Sequence, residues 1–302
     1  MKHRLLSALL PICLLILAAC GTTTPTEGTG ESTSSPAAEI ITREETTAMQ
    51  TSPAPEREYG RSGLLKDAVV VFTGDSITDG YRVDRTDPTV LGQNNYVVMF
   101  NHYIQKNFPE DNITVYNTGH SGYWIQHLHQ HLQDFVYDLD PDYLIVNIGT
   151  NNAWFDKGSI ESVETAYRAL IDELMEKTHA EIILVQPYLF ECDFVLDGVA
   201  LNTYIPRMEQ IADIVCRVAG EKGLPVIFYH ELFRQAMAEN GWAYKPHLSG
   251  DGIHPSTDGY RLFFDALAQE MQLPGYRAKY DFDYTAIRAK YGIKPYRDGS
   301  AT

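Results

Sequence analysis

The sequence predicts an α/β protein built on a parallel sheet covered on both faces, and three observations carry that expectation. Short, continuous apolar runs rich in β-branched residues recur along the chain, as strands buried on both sides require. Longer stretches with apolar residues at helical spacing lie between them. The two kinds alternate, which is the pattern of βαβ units. The strand runs are Ala68–Phe72, Ile113–Tyr116, Tyr143–Ile148, Ile182–Val185 and Val226–Tyr229. The helical stretches are Tyr96–Asn107, Gln126–Asp138, Ser159–Lys177 and Tyr204–Gly220, and Ser256–Gln272 closes the series. In such sheets ligands bind outside the carboxyl ends of the strands, so the loops after those runs are where chemistry is to be sought.

Composition narrows the function. With 44% hydrophobic residues in 302, the chain has material for a sizeable core, which excludes wholesale disorder. Lys and Arg number 24 against 40 Asp and Glu, a formal charge of −16, and no basic run occurs beyond the first few residues. A nucleic-acid partner is therefore not expected, because phosphate binding needs clustered cations.

Residues 1–20 have a basic start, with Lys2 and Arg4, and an apolar run from Leu5 to Ala19, the plan of an export signal. The string Leu17-Ala18-Ala19-Cys20-Gly21 resembles the lipobox of bacterial lipoproteins, in which the cysteine is lipidated and becomes the new N-terminus. The alternatives are an ordinary cleaved signal or an uncleaved anchor, although the run is short for a spanning helix of about 20 residues. Loss of residues 1–20 removes Lys2 and Arg4 and no acid, so the charge falls from −16 to −18. Residues 21–60 are rich in Thr, Ser, Pro, Glu and Gly and read as a flexible tether. The folded domain is expected over 61–273, followed by an aromatic tail over 274–302 that reads as a strap laid across the body. Of the four cysteines, Cys13 and Cys20 fall in the export segment. Cys192 and Cys216 suit a disulfide or two buried thiols equally.

The loop after the first strand reads Gly74-Asp75-Ser76-Ile77-Thr78-Asp79-Gly80, a serine at a strand-to-helix turn, where an exposed nucleophile belongs. The same residues also suit a tight turn with a helix cap. The elbow Gly-x-Ser-x-Gly of α/β-hydrolases occurs nowhere in the chain. Asn117-Thr118-Gly119-His120-Ser121-Gly122 and Gly149-Thr150-Asn151-Asn152 follow the second and third strands. They offer the backbone and amide donors an oxyanion needs. Downstream, Asp251-Gly252-Ile253-His254-Pro255 puts a carboxylate and an imidazole within reach across one turn of chain, the spacing of a base and its orienter.

Together these blocks resemble the SGNH, or GDSL, hydrolase family from about Val69 to Gln272. The resemblance implies a three-layer α/β/α sandwich with a flavodoxin-like parallel sheet, no metal, no cofactor, and hydrolysis of carboxylic esters through an acyl-enzyme. It makes Ser76 the nucleophile, His254 the base and Asp251 its partner, with the Ser76 and Gly122 N–H groups and Asn151 in the oxyanion hole. The family's third block usually reads Gly-x-Asn-Asp, so Asn152 departs from it and only supporting bonds are put in doubt. Asp79, Tyr81, His120 and Trp154 lie beside the blocks and are candidate substrate contacts.

The favoured substrate is an O-acetylated carbohydrate. A lysophospholipase or broad short-chain esterase is the alternative within the class, and a non-catalytic carbohydrate- or solute-binding lipoprotein the alternative outside it. His127-Leu128-His129-Gln130-His131 puts His127 and His131 on one helix face, but no acid or cysteine nearby offers a third metal ligand, so a solvated face is expected. If Cys20 carries lipid, Cys20→Ala will abolish radiolabelled palmitate incorporation and release the protein from the membrane fraction; equal labelling of both proteins would remove the lipobox reading.

Overall fold

The structure, a computed structural model, describes residues 57–156, 158–187, 195–196, 198–280 and 282–297. The export segment with Cys20, the tether up to residue 56 and Cys192 lie outside the described residues. In chain order the strands are β1 (Val69–Gly74), β2 (Thr114–Asn117), β3 (Tyr143–Asn147), β4 (Glu181–Val185), β5 (Val195–Leu196), β6 (Val199–Ala200) and β7 (Val226–Ile227). The helices are α1 (Ser76–Asp79), α2 (Tyr96–Asn107), α3 (Ile125–Gln130), α4 (Leu132–Phe135), α5 (Ile160–Lys177), α6 (Ile205–Lys222), α7 (Tyr229–Asn240), α8 (Thr257–Glu270) and α9 (Thr285–Tyr291).

Five strands form one parallel sheet in the order β2-β1-β3-β4-β7, the flavodoxin-like order expected. β1 is central and pairs with both β2 and β3, its register running from Val70 opposite Tyr143 to Gly74 opposite Asn147. All five residues of β3 are buried, as a strand covered on both sides must be. α2, α7 and α8 pack together in one layer, and α3, α5 and α6 in the other. Right-handed crossovers require that division for this strand order. β5 and β6 form a separate antiparallel hairpin.

The structure departs from expectation in two places. The stretch Gln126–Asp138 is broken into α3, α4 and a 3-10 turn at Tyr137–Leu139. At the break the His131 amide bonds Leu128 O, while its ring Nδ1–H donates to His127 O, taking the carbonyl a continuous helix would have used. The last strand stops at Ile227, and α7 begins at Tyr229, where no helix was expected. Tyr229, Leu232, Phe233 and Ala236 have the spacing of a buried helical face, and all are buried. Residues just before 61 also contact the body. The Arg57 guanidinium bonds Asp142, and Tyr59 bridges Leu65.

The described residues of the tail pack on the body. Phe282, Tyr284 and Ile293 are buried, and α9 lies so close to α6 that a Cβ on Gly220 would meet Tyr291 O at 1.9 Å. Arg288 pairs with Glu270, Tyr291 Oη donates to Asp213, and Tyr296 Oη donates to Glu181 at the start of β4. Tyr284 packs against Phe228 at 5.3 Å and under the Arg288 guanidinium. Tyr284→Ala is expected to cost about 3–5 kcal/mol, as buried aromatic truncations do, read from urea denaturation. A loss below ~1 kcal/mol would mean that the tail rests only loosely on the body.

Candidate active site

The site assembles where β1, β2 and β3 end, at the point where the strand order reverses. Position 74 has to be glycine, because a Cβ there would lie 2.0 Å from Asn147 O on the neighbouring strand. Asp75 then caps α1, its carboxylate accepting the Ile77 N–H at 3.0 Å, and Ser76 stands at the first position of that one-turn helix. The turn is braced from below. Tyr260 Oη donates to Ile77 O, and Asn117 Nδ2 and Asn95 Nδ2 both donate to Thr78 O.

His254 arrives from the loop before α8, with its Nε2 3.0 Å from Ser76 Oγ and its Nδ1–H donating to Asp251 Oδ2 at 2.7 Å. The other carboxylate oxygen accepts the Ile253 and His254 amides, each at 2.8 Å. Burial alone would raise the Asp251 carboxyl. The hydrogen bonds from the His254 ring and the two amides outweigh it and hold the group well below the usual carboxylate range. Ser249 Oγ ties the loop shut by donating to His254 O and accepting the Gly252 amide. A hydroxyl on an imidazole, itself held by an ionised carboxylate, is arranged for proton transfer from the hydroxyl to the ring.

A cleft of about 310 Å³ opens over this array. Gly122, at φ +82, and Asn151 line it beside Ser76, together with Tyr81, Trp154, Phe155 and Leu201. Asn151 donates one amide hydrogen to Tyr123 O at 2.8 Å and keeps its second. Asn152 is fully buried and faces away. Its Oδ1 accepts the Ile125 amide, and its Nδ2 donates to Gln126 and Asp156, which ties the β3 loop to α3. Three larger cavities among the described residues, one of them between α6, α7 and α9, hold no such serine–imidazole pair.

Of the four candidate contacts, Tyr81 and Trp154 line the cleft, with the Tyr81 ring 5.8 Å from that of His254. Asp79 and His120 do not. Asp79 is buried, with Arg85 bound across its two oxygens at 2.7 and 2.8 Å and Ser121 Oγ on one of them at 2.8 Å. The His120 ring turns onto Tyr123 at 3.9 Å and lines a neighbouring pocket. Phe155, Leu201 and Ile253 were missed, since apolar residues without a motif carry no signal for a cleft.

Fold and site together define a hydrolase with its reactive groups on the loops at the strand ends. The chain belongs to the GDSL-like lipase/acylhydrolase family, whose profile matches residues 72–262. An acetylxylan esterase of Geobacillus stearothermophilus is 24% identical over 217 residues, covering 70% of this chain and 96% of that protein. A solved single-site variant of Axe2, an acetyl xylan esterase from the same organism, superposes with a TM-score of 0.60 at 25% identity, covering 70% of this chain and 98% of that one. LAE5, an α/β hydrolase from the metagenome of Lake Arreo, Spain, gives a TM-score of 0.59 at 24% identity, covering 68% and 96%.

The carboxyl of Asp75 is wholly buried, and desolvation pushes it up to about 6 against the opposing pull of the Ile77 amide, Thr150 and the His254 ring. The folded chain therefore holds this proton more tightly than the unfolded chain, whose value is near 3.8. The resulting stability is complete below pH ~4 and is lost as pH rises through about 6, a difference of ~3 kcal/mol. Asp75→Asn keeps the cap and is expected to remove this component, so that denaturation midpoints at pH 4 and pH 7 draw closer than in the parent. An unchanged difference would show that Asp75 does not carry the proton.

Proposed function

We propose that the protein is a serine esterase that removes acetyl groups from a carbohydrate through an acyl-enzyme. One observation carries the reading: Ser76, His254 and Asp251 form an unbroken hydrogen-bonded line, at 3.0 and 2.7 Å, beneath a cleft that also holds Gly122 and Asn151. Ser76 Oγ attacks the ester carbonyl as His254 Nε2 takes its proton, and Asp251 stabilises the imidazolium. The Ser76 and Gly122 amides and the spare Asn151 hydrogen receive the oxyanion. His254 returns the proton to the departing alcohol, and water repeats the sequence to release the acid.

The cleft's small volume and its wall of Trp154, Phe155 and Leu201 favour a short acyl group over the long chain of a lysophospholipid. The likeness to acetylxylan esterases favours a sugar as the alcohol. A purely binding role leaves the Ser76–His254–Asp251 alignment without use. We also propose that the protein is exported and held at a bacterial membrane by lipid on Cys20, on the strength of residues 17–21.

Ser76→Ala and His254→Ala are each expected to lower kcat on p-nitrophenyl acetate by several orders of magnitude, and the double variant by hardly more, because the two act as one unit. Asn151→Ala should lose about 10²–10³ in kcat with KM within a few-fold, and Asn152→Ala should lose chiefly stability. A Ser76→Ala protein that keeps a tenth of the activity rejects the nucleophile. An Asn152→Ala protein that is more impaired in kcat than Asn151→Ala rejects the donor.

A further inference from the structure

One surface feature is not used by this chemistry. Aromatic rings run in unbroken contact from the cleft across α3 to the pocket beyond it. Phe155, at the cleft, lies 5.8 Å from Trp124, and Trp124 stacks on His127 at 4.2 Å. His127 meets Tyr123 at 5.4 Å, and Tyr123 continues to His131 at 5.3 Å and Phe135 at 6.0 Å. Each of these rings is at least partly exposed, so the run is not core. Its far end lines a pocket of about 440 Å³ together with Arg85 and His120. His127 and His131 do share a face, but they serve this run as rings, while His129 turns away to bond Glu173.

The composition of the run restricts its occupant. Flat faces edged by imidazole nitrogens, an indole N–H and a phenol suit a ligand that is apolar on its ring faces and hydroxylated at its rim, which describes a pyranose. An acyl chain would offer no partner to the Trp124 N–H, the Tyr123 hydroxyl or the ring nitrogens not already bonded within the protein. A polynucleotide also stacks on rings but needs cations along its backbone. Arg82 and Arg85 at the far end are both paired with Asp79, and burial holds His120 and His127 below the usual histidine range. An uncharged sugar chain fits.

We propose that this run is a track for the sugar backbone of the substrate, carrying a neutral pyranose chain away from the ester seated at Ser76 towards the pocket bounded by Tyr123, His131 and Phe135. The proposal rests on the carbohydrate-esterase reading above. It requires that kcat/KM on acetylated β-1,4-xylo-oligosaccharides, divided by that on p-nitrophenyl acetate, rise with chain length from two sugars to six. Trp124→Ala and Phe135→Ala should each reduce the ratio on the hexamer roughly three- to tenfold, mainly through KM, while Trp124→Phe and Phe135→Tyr retain it. Independently of how the variants fold, unacetylated xylohexaose should give a saturable change in the tryptophan fluorescence of the unaltered protein. A ratio that is independent of length and unmoved by either alanine, with acetylated xylobiose still deacetylated, overturns the track and leaves the esterase reading standing. Turnover of p-nitrophenyl acetate but of no acetylated xylo-oligosaccharide overturns both. An unmoved ratio with a fall in oligomeric mass in Trp124→Ala assigns the rings to a second copy of the chain and likewise overturns the track.

Discussion

A buried carboxylate, Asp79, holds together the loops on which the site depends. It sits at the end of the turn that begins with Ser76 and takes Arg85 across both oxygens, Ser121 on one of them, and the Arg82 Nε at 3.5 Å. Arg82, itself buried, reaches on to the carbonyls of Asn117 and Gly119. The turn carrying the serine and the loop carrying Gly122 are thus bound to one ionic centre. Taking these charges out of water is costly, and burial pulls the Arg82 guanidinium down from its ordinary value. The cost is offset only while the partners are present, so removing one of them would weaken the hold on both loops.

The strand order explains why such a centre is needed. Because β1 lies between β2 and β3, the chain leaves β1 towards one face and returns from β2 to β3 over the other. The loops diverge and leave a gap at the strand ends. The gap admits substrate, and beside it polar bonds tie the β1 and β2 loops to each other. Gly119 shows how close they come: a Cβ there would lie 2.4 Å from the Asp79 amide.

Much of this was legible in sequence, and the failures have physical causes. β1 to β4 and helices α2, α5, α6 and α8 fall within about two residues of expectation, because their hydrophobic period reflects burial directly. α7 was hidden because its first buried residue, Tyr229, continued an apolar run already read as strand. The α3–α4 break depends on a side chain, His131, competing for a backbone carbonyl, which periodicity does not register. Asp79 and His120 were placed by nearness to the motifs along the chain. Nearness in sequence says nothing of which way a side chain turns, and Asp79 found two arginines while His120 found Tyr123. Ser76, Asp251 and His254 were grouped through the resemblance of their motif blocks to the hydrolase family, since each motif alone also reads as a turn, and Ser76 and His254 lie 178 positions apart.

The two ends of the described chain share a place in the fold. Arg57 is fixed to Asp142 just before β3, the Arg61 and Ser62 amides bond Asp111 before β2, and Arg297 donates to Gly63 O. All lie at the amino-terminal edge of the sheet, whereas Ser76 stands beyond the carboxyl end of β1, a strand of six residues or roughly 20 Å. Arg57 and Arg297 therefore lie at the opposite end of the sheet from the cleft. A bead, a fluorescent domain or a solid support coupled at either of these two positions would leave the cleft facing away from what holds it.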